Sequence, residues 1–164
     1  MDRCRLTVRA ADPGERESLL GQLRERWGAS GVVVSRGRRF ELRDLPALVC
    51  VAGTEAVGVA TYRLEHGQCR LVTLDAFVED RGVGSALLER TIELARAHGC
   101  RRLWLITTND NFRALGFYQR RGLRLAALHR GAVGRARELK PEIPAVGERG
   151  IRISDELELE LPLR

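Results

Sequence analysis

The sequence predicts a mixed α/β (α+β) domain in which an antiparallel meander is followed by partly parallel strands. Alternating apolar runs at 48–53 and 57–65, joined by a short turn around Glu55, are followed by a third, LVTLDAF at 71–77. Runs this close in sequence pair as antiparallel neighbours. From Ser85 the pattern changes to helix, strand, helix, strand, which brings later strands side by side in parallel. With an initial strand and helix and an alternating tail, the expectation is about seven strands and four helices in a single domain spanning 1–164.

The elements follow in order. Residues 6–11 (LTVRAA) alternate as a strand does. Asp12-Pro13 then gives an N-cap and a proline at the first helical position, with Glu15 in the first turn. Leu19, Leu20, Leu23 and Trp27 recur at helical spacing, and Gly28 closes the segment. The arginine- and glycine-rich stretch 29–46 lacks clear periodicity and reads as a loop with a short helix. The helix at 85–98 carries Leu87, Leu88, Ile92 and Ala95 on one side. The strand at 102–108 is nearly all apolar until its end, as suits a central strand. A helix at 111–121, with Asn109 or Asp110 as its cap and Gly122 as its stop, is followed by a strand at 123–129. A short helix at 132–140 comes next. The tail DELELELPL at 155–163 has period two and reads as a strand with one wet face.

Composition narrows the function classes. The apolar share of 44% and charged share of 30% fit a globular protein able to bury its own core. Cys4, Cys50, Cys69 and Cys100 share no short spacing, so no zinc site or redox CxxC is indicated, and reduced thiols in a cytoplasmic protein are expected. No metal is expected. The N-terminus has no signal-peptide core, and the apolar runs fall short of a membrane span. The charge of +6 is carried almost entirely by arginine, Lys140 being the only lysine. These arginines are spread among acids rather than clustered on one helix, which argues against a nucleic-acid surface. The basic excess favours an anionic cofactor.

Gly82-Val83-Gly84 opens the helix that follows the third strand. Glycines at such a junction let backbone N–H groups converge, and the helix N-terminus adds partial positive charge, so the turn accepts a pyrophosphate. A P-loop is excluded because no glycine here is followed by lysine. A Rossmann fingerprint is excluded because Leu87 stands where its third glycine would be. In the later helix, Asn111, Ala114 and Tyr118 lie three and four residues apart and share a face.

The ordered set of strand, RGVGSALLE, strand and NFRALGFYQRRGL resembles the GNAT N-acetyltransferase superfamily. The first part is similar to its cofactor motif Gln/Arg-x-x-Gly-x-Gly/Ala. The second matches the pattern Asn-x-x-Ala-x-x-x-Tyr-x-x-x-Gly through Asn111, Ala114, Tyr118 and Gly122. The likeness covers residues 57–129, and the initial strand and helix suit the same GNAT-like fold. It implies a splayed central pair, 71–77 and 102–108, with acetyl-CoA as acyl donor in the V-shaped opening. Backbone amides around Ala76, Phe77 and Val78 would bind the pantetheine, and those of Arg81, Gly82, Val83, Gly84 and Ser85 the pyrophosphate. Asn111 would hydrogen-bond the pantetheine arm beside Ala114, and Tyr118 would face the thioester sulfur. The family's Gln/Arg position falls on acidic Glu79, so either Arg81 supplies the positive charge or the amides act alone.

A thioester and a neutral amine react directly when held in line, so positioning is much of the catalysis. Tyr118 is the candidate donor to the leaving thiolate; a phenol near pKa ~10 is a weaker acid than a thiol near ~8.5, which favours a hydrogen bond over full proton transfer. Asp75 is the candidate base, with Glu65, His129, Glu142 and an ordered water as competitors. The acceptor is shaped by 31–43 and by 130–150. The expected function is acetyl-CoA-dependent N-acetylation of an amine by direct attack, the amine being a small molecule. The alternatives are acetylation of a protein N-terminus or lysine, and a non-catalytic acyl-CoA-binding sensor. The expected partners are acetyl-CoA and the amine acceptor, with neither nucleic acid nor membrane, and a homodimer is left open.

Overall fold

A computed structural model describes residues 5–164. Cys4 and its expected thiol lie outside the described residues. Strand β1 (Leu6–Ala10) leads through a 3-10 turn, Pro13–Glu15, into α1 (Arg16–Trp27). Asp12 precedes the turn with extended backbone, and its N–H donates to the Glu15 carboxylate at 3.2 Å, so an otherwise orphaned donor is satisfied. Leu19, Leu20 and Leu23 bury one face of α1.

The stretch expected as loop and short helix is instead a hairpin. Val32–Ser35 (β2) pairs antiparallel with Arg38–Glu41 (β3), and a 3-10 turn at Leu42–Asp44 takes the place of the α-helix. Every β2 residue is buried, so it shows no two-residue alternation. The turn has positive φ at both central residues, 51° at Arg36 and 68° at Gly37. That geometry usually advertises itself as Asn-Gly, and arginine in the first place conceals it.

The main sheet contains β4 (Ala47–Ala52), β5 (Glu55–Glu65), β6 (Gln68–Ala76), β7 (Arg102–Thr108), β8 (Arg124–His129) and β9 (Glu156–Pro162) together with β1, in the order β1-β4-β5-β6-β7-β9-β8. The expected meander is β4-β5-β6, antiparallel throughout. Only β6 and β7 pair in parallel, and only over Gln68–Arg70 against Arg102–Trp104. Past that point β6 continues with β5 as far as Ala76, while β7 continues with β9 as far as Thr108. The facing edges of β6 and β7 therefore part and leave a V between them.

The face of the tail strand expected to be wet is largely covered. The strand runs between β7 and β8, and its acids are matched: Arg102 binds Glu158 at 3.0 Å and Glu160 at 2.8 Å, while Glu156 is buried. Helices α2 (Val83–Ala97) and α3 (Phe112–Arg120) cover one face of the sheet, where Leu48, Val57, Leu87, Leu88, Leu103 and Leu159 form the larger core. On the other side α1 and the hairpin pack Leu19, Leu23, Phe40, Val49 and Val59 into a second core. The last helix, α4 (Ala132–Leu139), lies against β2 through Ala136. Among the described residues no helix is long and apolar enough to cross a membrane.

Candidate active site at the splayed strands

Two cavities meet at the V and share Arg26 and Asn111. The first, a cleft of about 550 Å³, is bounded by the end of β6, the turn at Glu79–Gly82 and the facing sides of α2 and α3. The second, about 400 Å³, lies between β6, β7, the hairpin and α4.

The first cleft begins at the α2 N-terminus. Gly82 caps that helix at φ 75°, a left-handed conformation that a side chain would strain. The first helical bond runs from Ala86 N–H to Gly82, and among the described residues none accepts from Val83, Gly84 or Ser85 N–H. Three amides at a helix N-terminus thus face the cleft with partial positive charge. Gly84 packs closely on α3: a Cβ there would meet the Phe117 ring at 3.2 Å.

Cationic side chains supplement the amides. Arg81, Arg113, Arg120 and Arg121 all line the cleft. Glu79, the acid at the motif's basic position, is bound by Arg113 from α3 at 3.0 Å. Both groups are exposed, so this pair adds little stability, but it offsets the misplaced negative charge. Arg121 stacks on Phe117 at 3.7 Å and donates to Ser85 Oγ at 2.7 Å, which ties α3 to the helix entry. The α3 arginines were not singled out from sequence. Arg113, Phe117, Arg120 and Arg121 sit at spacings of three and four, and that shared face was the available signal.

Asn111, rather than Asn109 or Asp110, is the N-cap of α3. Its Oδ1 accepts from Ala114 N–H at 3.1 Å. The side-chain amide nitrogen has no protein acceptor among the described residues, and Asn111 borders both cavities. Tyr118 is 8% exposed, edge-on to Phe117 at 5.1 Å between centroids, and lines the first cleft. Burial foremost, then the charge of Asp75, pushes its phenol pKa up. At neutral pH Tyr118 is a donor, and a poorer acid than free tyrosine.

Asp75 also lines this cleft. Its Oδ2 accepts from Trp27 Nε1 at 2.9 Å, and Trp27 borders the second cavity. Burial raises its carboxyl pKa against the opposing effects of the Trp27 bond and Arg26. Ala76, Val78, Ala114 and the Arg81–Ser85 turn border the same cleft. Phe77 does not: its N–H is taken by Val57 O at 2.8 Å and its ring lies under Arg26 in the second core. Among the residues expected to hold the donor, Phe77 alone lies outside the cleft, its amide already spent on Val57.

The second cavity has mainly apolar walls, including Val33, Val72, Ile106, Val133 and Ile143. Parts of both segments expected to shape the acceptor, 31–43 and 130–150, line it. Lys140 is buried here and caps two carbonyls, Trp27 O and Val32 O, the latter at 2.6 Å; burial lowers its pKa. Of the competing bases, Glu142 borders this cavity and is bound by Ser30 at 2.9 Å. Glu65, held by Arg38 and Arg63, and His129, beside Glu158 at 3.3 Å, border neither cavity. Arg70 and Glu156, both buried and both in this cavity, were not singled out from sequence.

A sheet split at a parallel pair, with a helix entry aimed into the split, defines a class of acyl-transferring enzymes. The acetyltransferase (GNAT) family model matches residues 15–123. The chain is 42% identical over 132 residues to the uncharacterized protein YdhI of Bacillus subtilis, covering 80% of this chain and 82% of that protein. Its fold is similar to that of a Bacillus subtilis acetyltransferase solved in complex with CoA, at TM-score 0.70 and 19% identity over 98% of this chain and 100% of that one. A GNAT family acetyltransferase from Elizabethkingia anophelis, solved with acetyl-CoA bound, gives TM-score 0.68 at 17% identity over 99% and 100%. This chain belongs to the GNAT acetyltransferase family, and it is an acyltransferase with acetyl-CoA as donor.

Proposed function

We propose that the chain moves the acetyl group of acetyl-CoA to a small-molecule amine by direct attack, as one domain and with both substrates bound together. The observation that carries this reading is the meeting of the two cavities at Asn111 and Arg26. A recess of about 400 Å³ roofed by a hairpin and α4 suits a small acceptor better than a protein surface.

The first cleft fits the donor. Free amides at Val83–Ser85, with Arg81 and the α3 arginines, would hold the pyrophosphate. The β7-facing edge of β6 lacks a strand partner beyond Arg70, so the backbone near Ala76 and Val78 would hold the pantetheine in place of a strand. The Asn111 amide nitrogen would bond the same arm. When bound, the donor supplies an acyl group activated as a thioester. Tyr118 would donate a hydrogen bond to the sulfur as it gains negative charge, keeping its own proton. Asp75, its pKa raised toward the working range, would take the amine's proton directly or through water. The buried free thiols of Cys50, Cys69 and Cys100 suit a reducing, cytoplasmic setting.

Thiol release from acetyl-CoA over a broad panel of small amines tests the reading. Turnover with at least one small amine is expected. Acetyl-CoA binding without turnover across the panel would favour a sensor, and turnover only with peptides would favour a protein acceptor.

A further inference from the structure

Besides Lys140, whose ammonium caps two backbone carbonyls, the second cavity holds two buried charges of opposite sign, and among the described residues neither has an ionic partner in contact. Arg70 is 4% exposed. Its guanidinium is sandwiched between Phe40 and Trp104, 4.6 Å from each ring centroid, and donates to Ser35 Oγ and Ser35 O. Among the described residues no carboxylate is in ion-pair contact with it. Glu156 is 3% exposed and accepts only from Arg36 N–H, at 3.0 and 3.2 Å. Buried charges are costly unless paired; burial, partly offset by the charge of Glu156, lowers the Arg70 pKa to about 10.

The two charges flank one peptide unit. The carbonyl of Ser35 faces Arg70, and the N–H of Arg36 faces Glu156. A carbonyl and an N–H on one peptide point in opposite directions, so the guanidinium and the carboxylate stand on opposite sides of that peptide, and both border the cavity. Around them the walls are aliphatic: Val33, Val72, Ile106 and Val133. Glu156 pairs across the sheet with Thr108, at the end of β7 where the V is open, so it is the charge nearer the donor cleft. Arg70 pairs with Trp104, at the closed end.

We infer that this cavity takes an apolar α-amino acid as acceptor, Glu156 meeting its ammonium and Arg70 its carboxylate, an assignment that rests on the acetyl-transfer reading above. A zwitterion compensates both buried charges at once, which a simple amine or a simple acid does not. The aliphatic walls take the side chain. In the reaction the amine nitrogen bonds to the acetyl carbon as the thioester C–S bond breaks. Of the three ammonium protons, one stays on the amide, one goes to the departing sulfur and one leaves to solvent.

Matched acceptors test this: leucine, leucinamide and isoamylamine, each assayed with the full chain for thiol release from acetyl-CoA. Leucine should exceed both analogues in kcat/KM by roughly tenfold or more, the scale of one charged hydrogen bond left unmade in a buried site. In Arg70→Gln the ratio of leucine to isoamylamine should collapse, through a raised KM for leucine, and Arg70→Lys should restore part of it. If Arg70 only pins the hairpin, both acceptors lose activity equally and the ratio stands, which overturns the assignment. Isoamylamine or leucinamide matching leucine in the wild type also overturns it while leaving acetyl transfer intact. No thiol release with any amine, despite acetyl-CoA binding, overturns both. Should Arg70→Gln fail to fold, the wild-type ranking of the three acceptors decides.

Discussion

Replacing Tyr118 with phenylalanine isolates one hydrogen. The ring sits in the larger core, 8% exposed and edge-on to Phe117, and phenylalanine keeps that packing. The hydroxyl has no protein partner among the described residues, so its loss leaves no buried group unsatisfied and costs little stability. What is lost is a donor toward the sulfur, where negative charge gathers as the thioester breaks. Hydrogen bonds to charged groups are worth about 1.5–3 kcal/mol, and each 1.4 kcal/mol is a factor of ten. The variant should therefore lower kcat by roughly 10- to 100-fold. Because the interaction strengthens only as charge develops, acetyl-CoA affinity should hold within about threefold. Thiol release under saturating substrates gives kcat, and calorimetric titration with acetyl-CoA gives the affinity. Because the phenol pKa lies above its ordinary value of 10.0, Tyr118 does not titrate near neutrality, and the pH profile of kcat should keep its shape. Unchanged kcat would remove Tyr118 from the chemistry. An affinity loss as large as the kcat loss would make it a binding residue instead.

Gly84→Val should raise the Kd for acetyl-CoA about tenfold or more, since its side chain would press on the Phe117 ring, whose nearest atoms a Cβ would meet at 3.2 Å, beside the helix entry. Full affinity in a folded variant would mean that the phosphate site lies elsewhere. In the wild type the acid limb of kcat/KM should lie above the ordinary aspartate value of 3.8, because burial raises the Asp75 pKa. Asp75→Asn, which keeps an oxygen for Trp27, should abolish that limb; a limb that persists would exonerate Asp75. Arg102 and then Arg124 hold the Glu160 carboxyl below its ordinary 4.5, so its contribution is present above that value and is lost as pH falls through the lowered one. Glu160→Gln should accordingly unfold more easily than wild type at pH 7, by a margin that shrinks as pH falls below 4.5, as thermal melts at pH 7 and about pH 3 will show. A gap of the same size at both would place the effect in packing rather than charge.

The cleft proposed for the donor was legible because its parts are local. A turn, a helix entry and a capped helix occupy one run of sequence, and each advertises its backbone geometry through glycine or asparagine. Even there, the Phe77 amide is spent on Val57 while Ala76 and Val78 border the cleft, a distinction that a motif match does not draw. The cavity proposed for the acceptor comes from β2, the α4 segment and β9, far apart in sequence and each contributing a few residues. Two of the local signals there misled. Arginine at the first turn position hid the hairpin, and the leucine–glutamate alternation of β9 looked like a solvated face. Glu156 is buried only because β9 enters between β7 and β8, and nothing inside the tail dictates that insertion.

The same buried polar contacts explain why the second cavity has a defined shape. The β2–β3 hairpin shares no strand edge with the main sheet, so no ladder of backbone hydrogen bonds sets its position. Valine contacts from β2 resist its removal but tolerate sliding, since dispersion and burial are not directional. Arg70 on Ser35, Glu156 on Arg36 and Lys140 on Val32 are directional, and a slide of one residue would strand each of them. A stranded buried group costs about 1–3 kcal/mol, more when charged, which is enough to select one placement from several of similar apolar burial. All three pins border the cavity as buried charges without ionic partners among the described residues. The contacts that hold the roof in register are thus the ones left with capacity for a ligand, and binding one would tighten the roof it enters.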